Sequence, residues 1–199
     1  MSSPGLRERK KRKTRWAIQE HALRLFAQQG YDATTVEQIA EAAEISPSTF
    51  FRYFKTKEDV IIEDEYDPML VEFFTAAPAG DSPLATLRSA MRAAFAQMDA
   101  AEREKILTRT KLIMSVPALR ARSFDNLAAT IRVISEGLAI RLGRTADDFA
   151  IHTFAGACLG ALLPAIFRWV ESDGAEDLEE LVDQALAHLE AGLPLDASP

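Results

Sequence analysis

The 199-residue chain has a single cysteine, Cys158. That excludes an internal disulfide framework and makes a reducing compartment, the cytoplasm, the expected setting. Glycine and proline number nine each, too few for a collagenous or low-complexity chain. No apolar run is expected to reach the roughly eighteen residues that a membrane span needs. The charged N-terminus lacks the apolar stretch of a secretory signal, and no membrane partner is expected. Strand-like alternation and internal repeats are absent. The three histidines, His21, His152 and His188, are scattered, with no cysteine or carboxylate at ligand spacing. No metal site is therefore expected. A phosphate-cradling glycine loop and a nucleophile elbow are also missing. Asp147 and Asp148 read as a helix start rather than a catalytic pair. No catalytic residue and no cofactor are expected, and the chain is not read as an enzyme.

What is present favours helix. Apolar residues make up 48% of the chain and charged ones 27%, enough for one or two domains with a sizeable core. The net charge of −7 is unevenly spread: residues 1–57 hold eleven Lys/Arg against six Asp/Glu, and the remainder twelve against twenty-four. A small basic end on a large acidic body suits a polyanion-binding module joined to something else.

Residues 1–13 read as a flexible basic arm. A first helix is expected from about Thr14 to Gln29, with Ile18, Ala22, Leu25 and Phe26 on one stripe and Gly30 ending it. In TTVEQIAEAAEIS, Thr35 and Gln38 make a capping box for a second, short helix. Its buried stripe is Val36, Ile39, Ala40 and Ala43. Ser46 caps a third helix, with Pro47 at its first position. Thr56 caps a fourth, with Asp59 three residues on. Two short helices joined by a three-residue turn form a helix-turn-helix, whose second helix enters a DNA major groove.

The stretch SPSTFFRYFKTKED puts four aromatic rings into five positions, so one core cannot take them all. Phe50 and Phe54 lie one turn apart and read as core. The outer side then carries Ser48, Thr49, Phe51, Arg52, Tyr53 and Lys55. Hydroxyls reach base edges and thymine methyls, while cations and a phenol reach phosphates. Thr35 and Lys57 stand at helix N-termini, where phosphate is also favoured.

The run AIQEHALRLFAQQGYDATTVEQIAEAAEISPSTFFRYFKTKEDVI resembles the DNA-binding domain of the TetR family of bacterial transcriptional regulators. The likeness spans about residues 14–61 without a gap. It implies an all-α fold of about nine helices: a three-helix helix-turn-helix domain over 14–57, then a helical-bundle domain for ligand binding and dimerisation over 58–199. By this resemblance Thr35, Tyr53 and Lys57 meet the DNA backbone, and Pro47, Ser48, Thr49 and Arg52 meet bases or nearby sugars. Phe51 stands where the family commonly has tyrosine, so it cannot donate to a phosphate.

The implied function is a ligand-responsive repressor that binds a palindromic operator as a homodimer and is released by a small lipophilic effector. The alternative is a helical lipid- or acyl-CoA-binding protein, or an enzyme, with a vestigial helix-turn-helix. The dimer interface is expected on 146–172 and 176–191, where Gly156, Ala157, Gly160 and Ala161 form a small-residue patch. Candidate effector contacts are Phe73, Met91, Phe95, Met98, Met114, Phe124, Leu127, Ile131, Phe154 and Trp169, adaptable Met and aromatic side chains among them. Arg109, Lys111, Arg120 and Arg122 are candidates for an anionic headgroup. SVPALRAR and DDFAIHTFAGACLGAL are similar to a family branch that senses long-chain acyl-CoA, so an acyl-CoA is one possible effector.

Overall fold

The computed structural model describes residues 6–63, 75 and 80–195. Among these, nine helices and no strand occur: α1 (Leu6–Gln29), α2 (Val36–Ala42), α3 (Pro47–Tyr53), α4 (Asp59–Ile62), α5 (Pro83–Gln97), α6 (Ala100–Ser115), α7 (Pro117–Leu142), α8 (Phe149–Glu171) and α9 (Leu178–Glu190). The fold is all-α. Phe73, an expected effector contact, lies outside the described residues.

The chain forms two compact units. One comprises residues 1–63 with 108–123, the other 64–107 with 124–199. The first therefore extends past the expected boundary at 57 and takes in a segment far along the chain. The division falls within α6 and within α7.

In the N-terminal unit, Ile18, Ala22, Leu23 and Phe26 of α1 pack with Ile39 and Ala40 of α2, Phe50 and Phe54 at α3, Val60, Ile61 and Ile62 of α4, and Leu119 of α7. Local signals start and stop these helices. Gly30, at φ 85°, ends α1 by donating its N–H to the Phe26 carbonyl at 3.0 Å. Thr35 Oγ1 accepts from the Gln38 N–H at 3.2 Å, and the Gln38 side chain accepts from the Thr35 N–H at 2.9 Å. Ser46 Oγ accepts from the Thr49 N–H at 3.1 Å to open α3. Thr56 and Asp59 cap each other's backbone N–H groups at 2.9 and 3.2 Å. α1 begins at Leu6 rather than near Thr14. Residues 6–13 are rich in Lys and Arg, good helix formers, and the nearest breakers upstream are Pro4 and Gly5.

In the C-terminal unit, α8 packs along α9. Ile151, Ala155, Cys158, Leu162, Ala165 and Trp169 are buried with Leu181, Val182 and Leu186. Ser82 and Pro83 open α5, while Asp148 and Asp177 cap α8 and α9. One expectation is corrected here. α8 is long and apolar enough to cross a membrane by length and composition, with a mean hydropathy of 1.7 over its best window. From Phe149 to Phe167 only His152 and Thr153 interrupt the apolar run. The buried stripe against α9 is that of a bundle helix. Its other side leaves Phe149 85% and Phe167 43% exposed, with Ala157, Gly160 and Pro164 also exposed.

Candidate nucleic-acid interface and effector cleft

α3 has seven residues and two distinct sides. Phe50 and Phe54 are buried at 0% and 1% exposure, their ring centroids 5.9 Å apart. These two rings set the roll of the helix. With them inward, Pro47, Ser48, Phe51, Arg52 and, just beyond the helix, Lys55 are exposed, and Thr49 and Tyr53 are half-buried. The Phe51 ring meets Phe50 edge-on at 5.5 Å and is still 53% exposed. Arg52 lies over the Tyr53 ring at 5.5 Å. The hydroxyls of Ser48 and Thr49 both bond to Ser46 Oγ, at 2.9 and 3.0 Å. An incoming base or phosphate would exchange those bonds for its own.

Thr35 is exposed at the start of α2, its hydroxyl engaged in the capping box. Lys57 differs from the other cations. Its half-buried ammonium donates to the carbonyls of Tyr31 at 2.8 Å and Thr34 at 3.0 Å, and sits 4.0 Å from the Tyr31 ring centroid. Two of its three donors thus stitch the α1–α2 turn to the start of α4. Beside it the Tyr31 hydroxyl donates to Glu58 at 2.6 Å. Burial, and then Glu58, push the Tyr31 phenol well above its ordinary range. Burial pushes Glu58 up, but the Tyr31 hydroxyl, the backbone, Thr56 and Lys57 together bring it below the usual carboxylate range.

Sequence reasoning missed the residues that hold this surface in place. Arg15 donates to the Tyr53 carbonyl at 3.2 Å, pairs with Glu63 and lies 4.3 Å from the Phe54 ring centroid. Gln19 donates to the carbonyls of Val60 and Glu63 at 3.2 and 2.8 Å. Arg109 donates to the carbonyls of Ile61 at 2.6 Å and Ile62 at 3.0 Å. Arg122 pairs with the buried Asp59 at 2.7 Å. Arg109 and Arg122, candidates for an anionic headgroup, thus grip the two ends of α4. Arg15 sat unmarked inside a basic run, and no periodicity links residues 38 or more positions apart.

In the C-terminal unit a cleft of about 310 Å³ opens between Phe95, Met98, Ile106, Leu107 and Trp169, rimmed by Arg103, Glu104, Asp173, Glu176 and Asp177. It brings together three of the ten expected effector contacts: Phe95, Met98 and Trp169. Met91, Ile131 and Phe154 instead pack against the apolar core. Leu127 is half-buried, Phe124 is 74% exposed, and Met114 belongs to the N-terminal unit. Phe73 lies outside the described residues. Gly174 has no room for a side chain: a Cβ there would stand 2.7 Å from Leu107 Cδ2, and its φ is +77°.

Comparison with known proteins covers both units. A family model described as "Bacterial regulatory proteins, tetR family" matches residues 18–63. One described as "MftR C-terminal domain" matches residues 81–194. The HTH-type transcriptional regulator TcmR of Streptomyces glaucescens is 36% identical over 187 residues, covering 90% of this chain and 83% of TcmR. A solved structure of Thermus thermophilus FadR, a TetR-family repressor in complex with lauroyl-CoA, is similar with a TM-score of 0.59 at 26% identity, over 93% of this chain and 97% of that one. The fatty acid degradation regulator FadR of Bacillus halodurans shares the fold, with a TM-score of 0.60 at 23% identity, over 96% and 98% of the two chains.

Proposed function

Because the chain belongs to the TetR family of bacterial regulatory proteins, we propose that this DNA-binding regulator is a cytoplasmic repressor that holds a palindromic operator as a homodimer until a small lipophilic effector binds. One observation carries the DNA-binding half. Phe50 and Phe54 are locked inward, so Ser48, Phe51 and Arg52 face outward along one short helix. A pair of such helices from a two-fold dimer reads half-sites about one helical turn apart. Thr35, Pro47, Thr49, Tyr53 and Lys55 complete the DNA face. Lys57 acts mainly by fixing the α1–α2 turn beside it.

The bare side of α8, with Phe149, Ala157, Gly160, Pro164 and Phe167 exposed, supports dimerisation through α8 and α9. Small residues there allow close helix approach, and covering the two rings removes apolar surface from water. The cleft at Phe95, Met98 and Trp169 supports a lipophilic effector. Its rim carries four carboxylates and one guanidinium, which at this cleft favours a neutral compound over the phosphates of an acyl-CoA.

The route from effector to DNA runs along α6. Ala100, Arg103, Glu104, Ile106 and Leu107 border the cleft, and residues further along the same helix belong to the N-terminal unit, where Arg109 holds the end of α4. A ligand that shifts α6 would shift α4 and, through it, α3. It changes operator affinity only by as much as its affinities for the two states differ.

Fluorescence anisotropy with duplexes tiling the DNA beside its own gene tests the reading. One duplex should bind the wild type, and Arg52→Ala should lose that binding while remaining folded. Equal binding of every duplex, or binding of none, would overturn it.

A further inference from the structure

This inference rests on the DNA-binding reading and adds a second contact to it. α1 continues as helix from Thr14 back to Leu6. Those added turns hold Arg7, Arg9, Lys10, Lys11, Arg12 and Lys13 against one acid, Glu8. Arg7, Lys10, Lys11 and Lys13 are exposed. Positions 7, 11 and 15 recur every four residues and so share a face. Arg15 fixes what that face meets, through its contacts with the Tyr53 carbonyl, the Phe54 ring and Glu63. It adjoins the C-terminal end of α3, next to Tyr53 and the exposed Lys55. Lys11 and Arg7 follow about 6 and 12 Å further along α1.

Six cations in the first turns oppose the helix dipole and repel one another at i,i+4 spacing. A polyanion removes both penalties. The helical form also decides between two ways of touching DNA. A helix with side chains is about 10–12 Å across, too wide for a minor groove about 6 Å wide. Phosphates, reached from outside the groove, are the remaining target.

We propose that the first two turns of α1 are a helical phosphate clamp: Arg7 and Lys11, on the face that Arg15 ties to α3, bind the DNA backbone beyond Tyr53 and Lys55. The clamp adds affinity and no base preference.

The test is anisotropy titration of the full chain over a range of KCl concentrations. Two duplexes of equal length are used, one carrying the sequence that the wild type selects from a random pool and one of mixed sequence. Changing Arg7→Gln with Lys11→Gln should flatten the slope of log K against log[KCl] by about 1.8, for two lost phosphate contacts. The flattening should be equal on both duplexes, with the ratio of their affinities unchanged. Arg9→Gln with Lys13→Gln, on the opposite side of the helix, should flatten it by less than half as much.

An unchanged slope, an equal effect of the two pairs, or an altered affinity ratio would overturn the clamp. So would loss of the Arg7/Lys11 contribution when netropsin saturates the minor groove. Arg52→Ala separates this from the parent reading. It should erase the preference for the selected duplex and leave the slope difference between the pairs intact. If the wild type selects no sequence and binds neither duplex, the DNA-binding reading fails instead.

Discussion

Apart from the 24-residue α1, the N-terminal unit is built from short helices and the C-terminal unit from longer ones, and their polar contacts differ accordingly. α2, α3 and α4 have 7, 7 and 4 residues, whereas α8 and α9 have 23 and 13. Every helix leaves its last four carbonyls without an intrahelical donor, so a short helix leaves a larger share of itself unsatisfied. In the N-terminal unit, distant side chains supply such donors at the ends of α3 and α4, Arg15 to Tyr53, Gln19 to Val60 and Glu63, Arg109 to Ile61 and Ile62, and Lys57 does the same for the carbonyls of Tyr31 and Thr34 in the α1–α2 turn. In the C-terminal unit the long-range cations mostly meet carboxylates instead, as Arg88 and Arg92 do at Asp183 and Arg168 does at Glu176. The first kind of contact fixes backbone; the second ties side chains across helices whose backbone is already satisfied. α3 and the segments that flank it are therefore held by side chains from outside α3, some of them more than forty positions along the chain from the carbonyls they bind.

Leu119→Ala is expected to have the largest effect and would break the comparison if the two units were wrongly divided. Leu119 is fully buried in the N-terminal core with Ile39, Phe50 and Ile61, although it comes from α7. Its truncation should cost about 2–5 kcal/mol. Hydrogen exchange should show protection lost across α1–α3. Cys158 reports the other unit, because burial pushes its thiol up to about 11. In the variant it should alkylate at neutral pH as slowly as in the wild type. Faster alkylation with unchanged exchange in α1–α3 would place Leu119 in the wrong core.

Asp59→Asn comes next and tests the polar half of the argument. Asp59 is 4% exposed, accepts the Thr56 N–H at 2.9 Å and pairs with Arg122, whose side chain is 46% exposed. Asparagine keeps the size and one acceptor but cancels the charge. A loss of about 1.5–3 kcal/mol is expected, as for a hydrogen bond to a charged group. Arg122→Gln should cost no more, and the double variant less than the sum of the two, as contacting partners do. Additive losses in urea melts would mean that the pair does not act as one.

Local devices were legible in the sequence: the Thr35–Gln38 box, the Ser46–Pro47 start of α3, the Gly30 stop and the inward pair Phe50 and Phe54. Each depends on residues within four positions of one another, which is the range over which a chain pattern carries information. The alternation of rings and hydroxyls in α3 showed the candidate surface for the same reason. Arg15, Arg109 and Arg122 were not legible in their roles, because a cation that binds a distant carbonyl or carboxylate looks in sequence like any solvated charge. The early start of α1 was missed because a polar, basic segment following Pro4 and Gly5 reads as a flexible arm, although Lys and Arg are good helix formers. The cleft was only partly legible. Met and aromatic residues line pockets and fill cores alike, and Met91, Ile131 and Phe154 went to the core.

Arg88→Ala, in the C-terminal unit, should have the smallest effect and sharpens the contrast with Asp59. Arg88 reaches Asp183 at 3.1 Å and also pairs with Glu190, with side chains 21%, 30% and 42% exposed. Exposed pairs of this kind contribute up to about 1 kcal/mol, and salt screens them. Arg88, then Arg92, hold the Asp183 carboxyl below its usual range. A depressed carboxylate stabilises the fold above its unfolded pKa, about 3.9, and that contribution is lost as pH falls through the folded value. The melting-temperature gap between wild type and variant should therefore be flat near neutrality, close as pH drops below about 4, and close again in 1 M salt. A gap that persists in both conditions would assign the loss to packing of the arginine stem against α9 rather than to its charge.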